Sequence, residues 1–325
     1  MTSDPAIVVE ELRMSFATRA GPVEVLDGVS LSVGSGEIVG LVGESGSGKS
    51  ITAMTLMRLL PPSVWAANGK VSVLGQDMLA LDGSALEDFR GARISMIFQE
   101  PATALNPVLR VGSQIAEVIR RHSKASRREA EVKARQLLGD MQIRDIDRVM
   151  RAYPFMLSGG MRQRVLIAMA FACGPGVLVA DEPTTALDVT VQAQVLRLLR
   201  DMARRSGTAV LLITHDMGVV RHLCDRIYVI HAGQIVEHGS TLDVIAAPAH
   251  PYTRALLSAL PECFAPKTPI PALDLTAISP IGFPPGCRFA PRCRHVGLEC
   301  EKTPPFIVHT EGHFVACWKR ETDSR

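Results

Sequence analysis

The run Gly43-Glu44-Ser45-Gly46-Ser47-Gly48-Lys49-Ser50 constrains this chain more than any other eight residues. It fits the spacing G-x-x-x-x-G-K-[ST], follows a predicted strand at 37–42 and opens a predicted helix at 50–60. Glycines at these positions let backbone N–H groups turn inward around phosphate oxygens. The positive end of the following helix points at the same anion. Lys49 is spaced to reach the β- and γ-phosphates, and the Ser50 hydroxyl to ligate Mg²⁺. The bland alternative is a Gly/Ser-rich turn that happens to precede a lysine. The strand before it and the helix after it argue against that and for a layered α/β domain.

The rest of the first 260 residues agrees. Short Val/Ile/Leu-rich runs at 7–9, 94–98, 177–180, 209–213 and 226–230 read as strands buried on both faces of a parallel sheet. Helical patterns at 191–203 and 242–247 alternate with them. The block 102–172 breaks the alternation and reads as an inserted helical subdomain. With 325 residues, 47% apolar and 21% charged, the chain is ordinary globular material. A net charge of +2 gives no global reason to bind nucleic acid. No run approaches the ~18 consecutive apolar residues that a membrane span needs. The start, Met1-Thr2-Ser3-Asp4-Pro5, lacks the basic and apolar regions of a secretory signal, so the expected compartment is the reducing cytoplasm.

A second motif is Val177-Leu178-Val179-Ala180-Asp181-Glu182-Pro183. A buried strand ends in two carboxylates. Asp181 is suited to hold Mg²⁺, and Glu182 to take a proton from an attacking water. Alone this would read as a strand with an acidic turn; beside a phosphate loop it reads as catalytic. A third is Leu157-Ser158-Gly159-Gly160-Met161-Arg162-Gln163-Arg164. Ser158 is a good helix cap, the two glycines leave backbone N–H groups bare, and an apolar-periodic helix follows. That makes a second anion-binding helix end, suggestive of a partner's nucleotide.

Together these residues resemble the ATP-binding cassette ATPases, with Met161 where that family usually has Gln. The resemblance implies a P-loop, RecA-like α/β core with an antiparallel β subdomain and a helical subdomain, over residues 6–260. It implies ATP contacts from Gly43, Glu44, Ser45, Gly46, Ser47, Gly48, Lys49, Ser50 and Ile51, with Phe16 stacked on adenine. Phe16 taken alone would read as core. Gln99 matches the glutamine that touches Mg²⁺ and water, so Ser50, Gln99 and Asp181 form the implied Mg²⁺ set. Ser158, Gly159, Gly160 and Met161 would meet the γ-phosphate of ATP on a second subunit. Asp188, in Ala186-Leu187-Asp188, would cross the dimer interface, and His215 would hold the γ-phosphate. Glu182, His215, Lys49 and Gln99 are the implied catalytic set.

The match narrows to the peptide importers of this family, which include nickel and glutathione importers. Phe98-Gln99-Glu100-Pro101 through Leu105-Asn106-Pro107 and His250-Pro251-Tyr252-Thr253 carry it. The implied partners are a second, different ATPase subunit, two transmembrane permeases and an extracytoplasmic solute-binding protein, at the cytoplasmic face of the inner membrane. DNA-repair relatives carry coiled coils or zinc inserts, and this chain has no sustained heptads. Translation-linked relatives hold two cassettes, and one is present here. A nucleotide sensor without turnover is opposed by the Glu182 and His215 matches.

A Pro-rich stretch at 261–285 leads into a short tail, and 261–325 reads as an importer-type C-terminal extension. The tail holds Cys287, Cys293, Cys300 and Cys317. Four thiolates suit zinc or an iron–sulfur cluster, and the absence of a C-x₂-C pair is unlike a zinc ribbon. In several members of the resembling group a comparable set resembles a [4Fe–4S] binding site, which the resemblance implies here; zinc and small buried hydrophobes are the alternatives. The Arg/Lys-rich stretch 110–135 reads as a solvated helix face rather than a lipid contact. Met54 and Met57 read as core.

Overall fold

The computed structural model describes residues 4–19, 21–60, 64–99, 104–185, 187–259, 283 and 285–319. In chain order, strands β1 (Ile7–Thr18), β2 (Gly21–Val33) and β3 (Ile38–Val42) precede helix α1 (Lys49–Leu56). Then come β4 (Val64–Val73), β5 (Gln76–Asp77), α2 (Gly83–Phe89) and β6 (Ile94–Ile97). Four helices follow: α3 (Val111–His122), α4 (Arg127–Asp140), α5 (Ile146–Arg151) and α6 (Gly159–Ala170). After them run β7 (Val177–Asp181), α7 (Val189–Ser206), β8 (Ala209–Thr214), α8 (Met217–Leu223) and β9 (Arg226–His231). The chain continues through β10 (Gln234–Ser240), α9 (Thr241–Ala246), α10 (Pro251–Ser258), β11 (Ile307–Thr310) and β12 (His313–Val315).

The chain divides into two compact units. The first comprises Met1–Ile7, Val33–Ile38 and Ser72–Leu212. Its strands run in the order β8-β7-β6, and β6 pairs β7 in parallel from Ile94↔Val177 to Ile97↔Ala180. Strand β7 is buried along its whole length, as its continuous apolar run predicts. Helix α7 shows how sequence builds these elements. Asp188 caps it by accepting from the Val191 N–H at 3.0 Å. Val195, Leu198, Leu199 and Met202 form its buried stripe, and Gly207, at φ 65°, ends it. Helix α4 opens with a capping box in which Ser126 and Glu129 satisfy each other's backbone N–H groups. The basic residues of 110–135 are surface residues: Arg120, Lys124, Arg127 and Arg128 are exposed, and Arg121 pairs with Glu87 at 3.2 Å. Glu100, Pro101 and Ala186, parts of motifs read from sequence, lie outside the described residues.

The second unit comprises Val8–Ser32, Val39–Val71 and Ile213–Arg325. One sheet contains β2-β1-β4 and the other β11-β12-β10-β9-β3. β3 and β9 pair in parallel, Val39↔Arg226 to Val42↔Val229, and β9 and β10 antiparallel with a bulge between Ile235 and Glu237. Met57 is core, as expected, and Met54 is half-buried. With few aliphatic residues, the tail was read as one that a metal would help to fold. Two of its strands, β12 and β11, extend the sheet from β10, with Glu237↔Val315 and His238↔Phe314 in register. The Pro-rich stretch lies outside the described residues except Phe283 and Pro285.

A fully buried carboxylate fastens this junction. Glu237 accepts from the N–H groups of Ala249 (2.7 Å) and His250 (2.9 Å) and from His313 Nε2 (2.7 Å). Burial works to raise its pKa, but these hydrogen bonds outweigh it and hold the carboxyl below its ordinary value. His250 caps α10 through Nδ1, which accepts from the Tyr252 N–H at 3.0 Å, so its ring is neutral. Burial pulls the pKa of His250 down to about 4, and burial does the same to His231, also to about 4. An unfolded histidine takes up its proton near pH 6.5, whereas these stay neutral until about pH 4. Between those values the unfolded state binds more protons, so stability is lost as pH falls through that window. The melting temperature is therefore expected to drop from pH 7 to pH 4.5. A His250→Asn variant, which keeps a capping acceptor but does not titrate, should drop less steeply.

Candidate nucleotide site

In the second unit, β3 runs directly into residues 43–48, and α1 begins at Lys49. Gly46 (φ 80°) and Gly48 (φ 108°) take the left-handed backbone that the loop's turn requires. A Cβ on Gly43 would collide with the Ile230 carbonyl oxygen, and one on Gly48 would lie 2.6 Å from Leu26 Cδ2. Gly48, at the N-cap of α1, has no side chain with which to cap the helix. That is the arrangement of an anion cradle. Lys49 is 6% exposed and curls back over the loop, donating from Nζ to the carbonyls of Gly43 and Glu44, each at 2.8 Å. Ser47 is buried and its carbonyl accepts from the Gly233 N–H at 2.8 Å, which ties the loop to the β9–β10 turn. Ser45 is exposed, while Ser50 and Ile51 are half-buried. Phe16 is half-buried on β1, and His215 is exposed just past β8.

The first unit assembles the other predicted groups. Asp181 is buried at the end of β7. Glu182 follows with φ 45°, an unusual backbone for a non-glycine residue. Its Oε2 accepts from Gln99 Nε2 at 2.9 Å and from the Thr185 hydroxyl at 3.0 Å. Gln99 and Glu182, 83 residues apart, thus meet, a contact that the sequence reading did not name. Thr185 was missed, because a threonine in a turn carries no distinguishing signal.

Ser158 caps α6 by accepting from the Met161 N–H at 3.4 Å. Gly159, Gly160 and Met161 line a cavity of about 500 Å³ with Ser158, Asp188 and Arg148. Gly160 is required by packing, since a Cβ there would sit 2.5 Å from Val191 Cγ1. The helix N-terminus with Arg144, Arg148 and Arg164 outweighs Asp145 and Asp188 around this cavity, which makes it an anion-favouring face. Gln163, downstream on α6, is fully buried.

Cys287, Cys293, Cys300 and Cys317 line one pocket, together with Phe289 and His250. The Cys287 N–H donates to the Cys300 carbonyl at 2.9 Å. Burial raises the pKa of Cys287 and of Cys293, and pushes Cys317 up to about 11. As thiols they keep their protons at neutral pH; a bound metal would displace them. Among the described residues no group of three or more His, Cys, Asp or Glu is arranged to hold a metal ion. The convergence of the four cysteines stands, and a ready-made metal site does not.

The two motif sets have counterparts in known proteins. The ABC transporter family model matches residues 26–185, and the model for the oligopeptide/dipeptide transporter C-terminal region matches residues 236–300. A protein named as a probable D,D-dipeptide transport ATP-binding protein of Escherichia coli K12 is 52% identical, with 97% of each chain covered. The dipeptide transport ATP-binding protein DppD of Bacillus subtilis 168 is 42% identical over 98% of this chain and 96% of its own. Among solved structures, the dimeric ATP-binding cassette MJ0796 with ADP and phosphate superposes with a TM-score of 0.65. It is 27% identical and covers 72% of this chain and 98% of its own. Phosphate loop, paired strand-end carboxylates and full-length likeness agree: the chain belongs to the ATP-binding cassette family, in its oligopeptide/dipeptide transporter branch.

Proposed function

We propose that this chain is the ATP-hydrolysing subunit of an importer that takes up di- or oligopeptides. The observation that carries this is a preformed phosphate loop, with Lys49 folded over it, in a chain whose C-terminal region matches the peptide-transporter model. Hydrolysis needs a base, and Glu182 is the group proposed, oriented by Gln99 and Thr185. Two such subunits facing head to tail would close each site with Ser158, Gly159, Gly160 and Met161 of the opposite copy, with Asp188 at the interface. His215 would contact the γ-phosphate and Phe16 the adenine. The second subunit is proposed to be a different chain. Among the described residues no helix is long and apolar enough to cross a membrane. Two permease subunits and a solute-binding protein would accordingly complete the assembly, with this chain at the cytoplasmic membrane face.

Ser50, Gln99 and Asp181 offer the hard oxygen donors that Mg²⁺ takes, and few protein ligands suffice because the phosphates and water supply the rest. Bound Mg²⁺ would neutralise charge on the phosphates. The described residues form no ready-made metal site, so we propose [4Fe–4S] for the four cysteines on their thiolate chemistry alone, with zinc as the alternative. Iron and acid-labile sulfide in anaerobically purified protein would support the cluster; stoichiometric zinc would replace it. The function itself is tested in vesicles holding the full transporter. Peptide uptake should require MgATP and this chain. Uptake that persists without the chain would overturn the reading.

A further inference from the structure

The C-terminal tail reaches back to the phosphate loop through one ion pair. Arg292 donates to both carboxylate oxygens of Glu44, from Nη1 at 2.9 Å and Nη2 at 2.8 Å. The side chains are 8% and 25% exposed, so the pair is largely shielded from water. A two-pronged guanidinium–carboxylate pair is both strong and geometrically specific. It is reinforced on either side. The Glu44 N–H donates to the hydroxyl of buried Tyr252 at 2.8 Å, and Arg292 lies over the Phe289 ring at 5.7 Å. Arg288, four residues earlier, donates to the Ala232 carbonyl (2.6 Å), Glu24 (2.6 Å) and Asp27 (2.9 Å).

Glu44 is the second residue of the loop that must receive a polyanion. An uncompensated carboxylate there would repel the phosphates. Its carbonyl also holds Lys49, so displacement of Glu44 would misplace the ammonium. We propose that Arg292 is a positioning residue for the nucleotide: it neutralises Glu44 and fixes the phosphate loop in its receptive form, so that the C-terminal tail sets the affinity for ATP. This rests on the nucleotide-binding reading of the loop and deepens it. Arg292 adjoins Cys293, which lines the cysteine pocket, so a change in that pocket would reach the loop through the Arg292–Glu44 pair.

The test is nucleotide binding to the full chain, read with a fluorescent ATP analogue displaced by ATP or ADP. Arg292→Ala should raise the Kd for ATP about tenfold and for ADP by roughly threefold, because the extra phosphate charge meets the unmasked carboxylate. In the assembled transporter KM should rise with kcat little changed. Arg292→Lys, which keeps the charge but not the fork, should fall between. The decisive variant is Glu44→Gln combined with Arg292→Ala. If Arg292 acts by neutralising Glu44, the double variant binds ATP more tightly than Arg292→Ala alone. If Arg292 only props the fold, the two losses add, and the proposal is overturned. It is equally overturned if Arg292→Ala, or Arg292→Lys should the alanine variant not fold, binds like the unmodified chain. An unmodified chain that bound no nucleotide would instead overturn the transporter reading itself.

Discussion

Glu182→Gln is expected to lower ATP turnover by about 10²–10⁴, the usual cost of removing a general base, while leaving MgATP binding nearly unchanged. The expectation follows from where the carboxylate stands. Glu182 sits immediately past a fully buried strand, on a left-handed backbone that fixes the direction of its side chain. Gln99 and Thr185 both donate to the same oxygen, Oε2. A glutamine can accept those two hydrogen bonds through its amide oxygen, so the turn should keep its shape. It cannot accept a proton from water at neutral pH, which separates chemistry from architecture. Phosphate release by the assembled transporter and retained nucleotide in a filter assay give the two readouts. Equal loss of binding and turnover would point to a damaged loop instead. Glu182→Ala is less informative, because it also strips the acceptor from Gln99 and Thr185 and frees both to move.

Much of this geometry was legible in the chain. The phosphate loop could be read because its chemistry is local: glycines, a lysine and a hydroxyl must be contiguous to wrap one anion. The contact of Gln99 with Glu182 was not read from the chain, since nothing in the spacing of two residues 83 apart reveals it. The same limit hid the Arg292–Glu44 pair, whose partners are 248 residues apart. Strand β10 was overlooked because a bulge at Ile235/Glu237 breaks its alternation and because its fully buried Glu237 looks like a surface residue in sequence. The tail strands β11 and β12 are four and three residues long, too short for a period-two pattern to stand out. Ser158 and Asp188 illustrate a different difficulty. Each was picked out for a nucleotide or interface role, and each is also a helix cap. Sequence cannot apportion one residue between two duties that use the same oxygen.

Lys49→Ala should abolish measurable ATP binding, a loss of at least about 10²-fold. Hydrogen bonds to a charged group contribute about 1.5–3 kcal/mol each, and the ammonium is expected to make two of them to the β- and γ-phosphates. In this chain the ammonium is already held over the loop by the Gly43 and Glu44 carbonyls, so little ordering remains to be done when nucleotide arrives. Lys49→Arg separates charge from shape. It keeps the positive charge, but the side chain is 6% exposed against a loop where even a methyl group on Gly43 or Gly48 would collide with a neighbour. A planar guanidinium is too broad for that space and would push the loop outward. Arginine is thus expected to bind ATP almost as poorly as alanine. If arginine restored binding, charge alone would be sufficient and the tight packing of residues 43–49 would not be what makes the site. If both variants fail while circular dichroism shows an intact fold, it is the point charge in a close-fitting loop that captures the nucleotide.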